Sequence, residues 1–149
     1  MIILLDSGPL GLVTNPNVTR ASEECSLWLE HAGRSGHLVV LPEIVDYELR
    51  RELLRGRKNK GVIKLDGLAS RLVFAPITSP VLRLAAEFWA IARHRGMPTA
   101  DDRALDFDMI LAAQAVLIEE DWEQQVVIAT TNVRHLARFA AARKWQDVR

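Results

Sequence analysis

Residues 105–118 read LDFDMILAAQAVLI. From Phe107 onward only Asp108 and Gln114 are polar, a pattern that predicts a helix buried over most of its surface. Ala112, Ala113 and Ala115 thin one side of it, so another element can approach closely. A carboxylate, Asp108, falls in the first turn of the expected helix, with Asp106 two residues earlier. Helix N-termini favour negative charge, so both a capping role and a site role stand open for Asp108.

Downstream, Val126–Ala129 predicts a buried strand ending in Thr130-Thr131-Asn132. Small polar residues at a strand end either hold a ligand or cap the next helix. That helix is expected from Val133, with Leu136, Phe139 and Ala140 inward, and Trp145 and Val148 are expected in a last edge strand. Upstream, a helix begins at Pro80 and breaks at Gly96. Met97-Pro98-Thr99 reads as a loop, with Thr99 or Asp101 capping the helix that contains Asp108. Arg71–Ala75 predicts a third strand, preceded by a short helix over Val62–Ala69. Pro42-Glu43 opens a helix whose apolar face is Ile44, Val45, Tyr47, Leu49, Leu53 and Leu54. Glu48 lies at the edge of that face, and spacing alone favours solvent for it. Glu43 suits the helix dipole and Asp46 is a lesser candidate.

His37–Leu41 is the second strand, and Ala21–Ala32 a helix closed by Gly33 to Gly36. Ile2–Leu5 is the first strand, unalternating and so expected to be buried on both faces. It ends at the turn signal Asp6-Ser7-Gly8-Pro9. Asp6 stands either in a site at the carboxyl end of that strand or as a cap of the next helix. Strands alternating with helices imply parallel pairing and right-handed crossovers. The expected fold is therefore three-layer α/β, with a central mainly parallel sheet, as one domain over residues 1–149.

The apolar and charged fractions, 49% and 26%, are those of an ordinary globular protein. Net charge is zero, which excludes a global basic field for nucleic acid. The charge is unevenly spread. Residues 50–64 carry Arg50, Arg51, Arg55, Arg57, Lys58, Lys60 and Lys64 against one acid, while residues 101–123 carry eight acids against one arginine. The single cysteine, Cys25, rules out an internal disulfide, suits a reducing cytoplasmic compartment, and reads as a small buried hydrophobe. Met1 runs into the apolar IILL with no basic region and an aspartate comes directly after, so a strand is expected there rather than a signal peptide. No apolar run approaches membrane-spanning length.

Crossovers of this kind bring the carboxyl ends of the strands to one edge, with Asp6 and Thr130–Asn132 on it. Helix N-termini face the same edge, which brings Asp108 there, and Glu48 joins if its side chain turns inward. Carboxylates gathered in one pocket repel unless a cation pairs them, and an all-oxygen donor set points to Mg²⁺ or Mn²⁺. His31, His37, His94 and His135 show no zinc-like spacing.

LLDSGPL with Asp6, DYELRREL with Glu48, DMILAAQA with Asp108 and TTNVRHLARF with Asn132 stand in an order and spacing that resembles the PIN-domain ribonucleases. The similarity is to the VapC-like toxins of prokaryotic toxin–antitoxin pairs and covers nearly the whole chain. It implies a metal site of Asp6, Glu48 and Asp108, with Thr130 and Asn132 beside it. It also implies hydrolysis of single-stranded RNA and an antitoxin partner. Asn132 stands at the family's fourth acidic position, and its neutrality removes a charge that a second metal would use. Asp106 has no fixed place in the pattern, as an outer acid or a helix cap. In that chemistry a water attacks phosphorus at the metal, Glu48 ligates through water or orients the nucleophile, and Asn132 bonds a water or phosphate oxygen. Arg50, Arg51, Arg55 and Lys58 would contact phosphates.

Large apolar residues on outer helices (Trp28, Tyr47, Leu53, Leu54, Phe88, Trp89) suggest a homodimer, with an antitoxin peptide lying across the Glu48 helix. Two rivals remain. A two-component receiver would need an aspartate at the end of the third strand, where Val73-Phe74-Ala75-Pro76 has none. A catalytically silent PIN-like binding module would keep the fold without the reaction.

Overall fold

The four apolar residues of β1 (Ile2–Leu5) sit at the centre of a five-stranded sheet, and all four are buried. The protein is described by a computed structural model covering residues 1–95 and 101–149. After β1 come α1 (Ser7–Thr14), α2 (Arg20–Arg34), β2 (Leu38–Pro42), α3 (Glu43–Arg55), α4 (Asn59–Ala69) and β3 (Val73–Ala75). The chain continues through α5 (Ser79–Arg95), α6 (Asp102–Trp122), β4 (Val126–Thr130) and β5 (Ala142–Lys144). The strand order is β3-β2-β1-β4-β5, and every pairing is parallel. The fold class is thus the three-layer parallel α/β sheet expected.

The sheet first grows outward from β1 through β2 to β3, then the chain returns to β1's other side as β4. Right-handed crossovers require α1–α4 on one face and α5–α6 on the other. The reversal puts a topological switch point between β1 and β4, where ligands of open α/β sheets bind. Register aligns Leu5 with Ala129, which sets Asp6 beside Thr130 at the carboxyl edge.

The alanines of α6 act as their sizes predict. Ala112 and Ala115 are buried in the main core, and Ala113 packs with Val81, Ala85 and Ala92 of α5. Gln114 is 1% exposed, and its amide nitrogen donates to the carbonyls of Ala75 and Pro76, tying α6 to the end of β3. Cys25 is fully buried, and burial pushes its thiol up to about 12, so it is an inert hydrophobe. No described helix is long and apolar enough to cross a membrane.

Several local expectations change. The Asp6–Pro9 turn is a helix start: Asp6 caps α1, accepting from the Ser7 N–H, and Pro9 fits because a first turn has no use for its missing N–H. Helix α4 begins at Asn59 rather than Val62, and β3 at Val73 rather than Arg71. Helix α6 begins at Asp102 with Asp101 as its cap, accepting from the Ala104 N–H. Asp108 is therefore in the second turn and caps nothing. The Gly96 break, the Met97–Thr99 loop and the Thr99 cap lie outside the described residues. The helix expected from Val133 is a single 3₁₀ turn, Leu136–Arg138. The edge strand lies at Ala142–Lys144, ahead of Trp145 and Val148. Those two residues are buried for another reason: Trp145 packs on Trp28 of α2, whose indole N–H donates to the Val148 carbonyl.

Candidate active site

Asp6 is fixed from two sides. One carboxylate oxygen accepts from the Ser7 N–H at 2.7 Å, and the other accepts from the Thr130 hydroxyl at 2.5 Å. Thr130 is fully buried, and its oxygen in turn accepts from the Asn132 N–H at 2.9 Å. The carboxyl ends of β1 and β4 are thereby locked together by side chains as well as by the ladder.

Glu48 comes in from α3. Its neighbour Tyr47 takes the outward position, and Glu48 turns into the pocket, against the solvent position that spacing favoured. Burial raises its pKa, and the charges of Asp6 and Asp108 add to the rise; the Ser7 hydroxyl and the Arg51 guanidinium oppose it. Asp108 comes in from α6, with its Oδ2 3.0 Å from Nδ1 of His135. Its pKa is also raised, by burial first and then by the charge of Asp6, against the His135 contact. Both shifts come first from burial, with the charges of the neighbouring acids adding to them.

These side chains line one pocket of about 420 Å³, together with Thr131 and Asn132. Four of the five proposed site residues thus border it directly, and Thr130 anchors Asp6 from beneath. Asn132 is exposed at the rim. Among the described residues no three His, Cys, Asp or Glu side chains stand in an arrangement that could hold a metal ion, Asp6, Glu48 and Asp108 included. Asp106 is exposed and borders a different pocket, against α5, so it is neither an outer acid of this site nor the helix cap. Glu43 is committed to the Ile77 N–H, and Asp46 to Arg50.

His135 was missed by sequence reading. It is one histidine with no ligand-like spacing to any other, and its partner lies 27 residues away on another element. Its place three residues after Asn132 was the available signal. The basic run also needs correcting. Arg50 is bound to both Asp46 and Asp66, and Arg55 to Glu52, while Arg51 stays beside Glu48.

No protein-family model matches the chain, and no curated protein matches its sequence. Solved structures do. VapBC2 from Rickettsia felis, bound to a DNA fragment from their promoter, matches at TM-score 0.70 and 18% identity, over 97% of this chain and 99% of that one. VapBC-1 from nontypeable Haemophilus influenzae matches at 0.66 and 15% identity, over 99% and 100%. PAE2754 from Pyrobaculum aerophilum matches at 0.53 and 14% identity, over 98% and 93%. The fold is PIN-like. In this PIN-like chain the acid pocket occupies the switch point of the sheet; its carboxylates come from β1's end (Asp6), α3 (Glu48 and, one turn on, Glu52) and α6 (Asp108).

Proposed function

We propose that this PIN-like chain is a metal-dependent endoribonuclease acting as the toxin of a toxin–antitoxin pair. The observation that carries the reading is the meeting of Asp6, Glu48 and Asp108 in one pocket at the carboxyl edge of β1 and β4. The donor set suits Mg²⁺ or Mn²⁺: it is all carboxylate oxygen, the charge of Asp6 raises the pKa of both Glu48 and Asp108, and the nearby His135 is engaged with Asp108. Asp6, Asp108 and Glu48 would hold the cation, after side-chain movements that bring the carboxylates together. Bound there, it would supply charge for a phosphate oxygen and acidify a water.

The chain's own groups do the rest. Thr130 and the Ser7 N–H hold Asp6 in one orientation, and His135 holds Asp108. Glu48, turned into the pocket from α3, ligates through water or orients the attacking water. Asn132 offers its amide to a phosphate oxygen at the rim. Arg51 and Lys58 supply phosphate contacts; Arg50 does not, being held by two aspartates.

Two of the three solved neighbours are VapBC structures, which supports an antitoxin partner, and we place its peptide across α3. We further propose a homodimer. Trp28, Leu53 and Phe88 are absorbed by the core, but Leu82 and Trp89, seven residues apart on α5, are 50% and 37% exposed. The test is incubation of the pure protein with mixed RNAs in Mg²⁺, Mn²⁺ or EDTA, with the new ends mapped. Cleavage in metal that stops in EDTA is expected. Cleavage unchanged in EDTA would remove the metal mechanism. No cleavage under any condition would favour the silent binding module.

A further inference from the structure

On the α3–α6 side of the acid pocket stand two aromatic rings that the proposed reaction does not use. Phe107 of α6 lines the pocket directly. Tyr47 of α3 meets it edge to face, with ring centroids 6.2 Å apart and planes at 63°. Arg51, one helical turn beyond Tyr47, lays its guanidinium 4.5 Å from the Phe107 centroid and 5.6 Å from that of Tyr47. Its Nε is buried without a hydrogen bond, 3.9 Å from a Glu52 carboxylate oxygen, so the head group lies over the rings with one long ion pair rather than in a carboxylate fork. Tyr47 itself is 54% exposed. A large ring left this open beside a charged cleft gives up much of the burial it would gain by packing.

Helix geometry explains the arrangement. Turning Glu48 into the pocket obliges the preceding residue to point along the adjoining side of α3, and residue 51 to lie over residue 47. The same rotation that delivers the acid thus delivers a ring and a cation to the pocket's flank. An aromatic face with a guanidinium beside it matches one chemistry well: an unpaired nucleobase whose phosphate lies against the cation.

We propose that Tyr47, braced by Phe107 and Arg51, is a stacking subsite that seats an unpaired nucleobase of the RNA next to the phosphate held in the acid pocket. This rests on the nuclease reading and adds to it a contact that selects single strands. A base in a duplex is already stacked and cannot reach the ring.

The test compares the parent with Tyr47→Ala, Tyr47→Leu and Tyr47→Phe. The substrates are a short single-stranded RNA containing the mapped cleavage site and two altered forms, one abasic and one carrying 2-aminopurine next to that site. Loss of the ring in Tyr47→Ala and Tyr47→Leu is expected to raise KM about 5- to 100-fold, the effect of removing one base–aromatic stack. Tyr47→Phe should restore it. The abasic RNA should raise KM for the parent but add nothing in Tyr47→Ala, because both changes remove one contact. Quenching of 2-aminopurine fluorescence by the parent should be lost in Tyr47→Ala and Tyr47→Leu.

An unchanged KM in Tyr47→Ala, parental binding in Tyr47→Leu, or an abasic penalty that persists in Tyr47→Ala would each overturn the subsite. So would a change of oligomeric state in Tyr47→Ala by light scattering, which would make the ring an interface residue. If the parent cleaves no RNA in Mg²⁺ or Mn²⁺, the nuclease reading fails on its own. The fluorescence arm, run on short single-stranded RNAs carrying 2-aminopurine at successive internal positions, then judges the subsite separately: ring-dependent quenching keeps it and its absence removes it.

Discussion

Asp108 illustrates how a single carboxylate is decided by its surroundings. It sits one turn too deep in α6 to serve as a cap, and Asp101 already fills that role. Its raised pKa, like that of Glu48, sets a sign for pH dependence. An acid whose folded pKa lies above its unfolded one adds stability while protonated and loses it as pH rises through the folded value. Without divalent metal, the stability cost of these two groups should therefore grow as pH climbs above the ordinary carboxylate range. Asp108→Asn removes one charge and keeps the shape. In EDTA near neutral pH its melting temperature should equal or exceed the parent's, with the gap narrowing as pH falls towards about 4. Mg²⁺ should raise the parent's melting temperature but not the variant's, because a ligand stabilises in proportion to its affinity for the folded state. Parallel Mg²⁺ responses in the two proteins would sink the site. Asp6 was legible as an acid ending an apolar strand, and Asp108 as an acid in an apolar helix. Glu48 was not settled by periodicity, because one residue's rotation about α3 separates solvent from pocket, and only packing against α1 and α6 fixes it. His135 was invisible for the same reason: its meaning is a contact between elements.

Among the elements, the first turn of α1 is the most tightly fitted to the site. A Cβ built on Gly8 would lie 2.4 Å from Oγ1, 2.7 Å from Cγ2 and 3.0 Å from Cβ of Thr131. The branched Thr131 side chain is stiff, so relief must come from the backbone that leads to Asn132. In a helix Gly→Ala ordinarily gains about 0.5–1 kcal/mol, but overpacking of this kind costs about 1–3 kcal/mol. Gly8→Ala is expected to melt lower than the parent and to lose activity, and Thr131→Ala introduced with it should recover both. Equal melting of Gly8→Ala and parent would show that the loop gives way freely. Strands β1 to β4 and helices α2 to α6 were readable from apolar runs and Gly/Pro punctuation, but α1 was not, because Asp6-Ser7-Gly8-Pro9 carries the letters of a turn. The segment after Asn132 was not: Leu136, Phe139 and Ala140 are spaced for a helix, yet the chain must enter β5 at Ala142. His135 is held by Asp108 and Phe139 packs on Phe88, which leaves room for one tight turn. Trp145 and Val148 looked like strand residues because burial by a helix and burial by a sheet leave the same apolar letters.

For the whole molecule, surface apolarity predicts assembly. Leu82 and Trp89 border a depression of about 340 Å³ floored by Ala85, Ala86 and Ile110, a shape suited to receiving a large side chain. Light scattering across concentrations is expected to give a dimer for the parent and a monomer for Leu82→Glu, and a parent that stays monomeric would exclude the interface. The order β3-β2-β1-β4-β5 has one more effect. Because β4 is the last strand to reach β1, the hydrogen bond from Thr130 to Asp6 joins positions 124 residues apart. A ribosome adding 5–20 residues per second needs roughly 6–25 seconds to make the intervening chain. Throughout that interval the nascent polypeptide carries Asp6 without its anchor and without the edge on which the pocket is built. A translation product that stops before Thr130 therefore has no assembled pocket, and any activity the pocket confers waits until β4 has been made and has paired with β1.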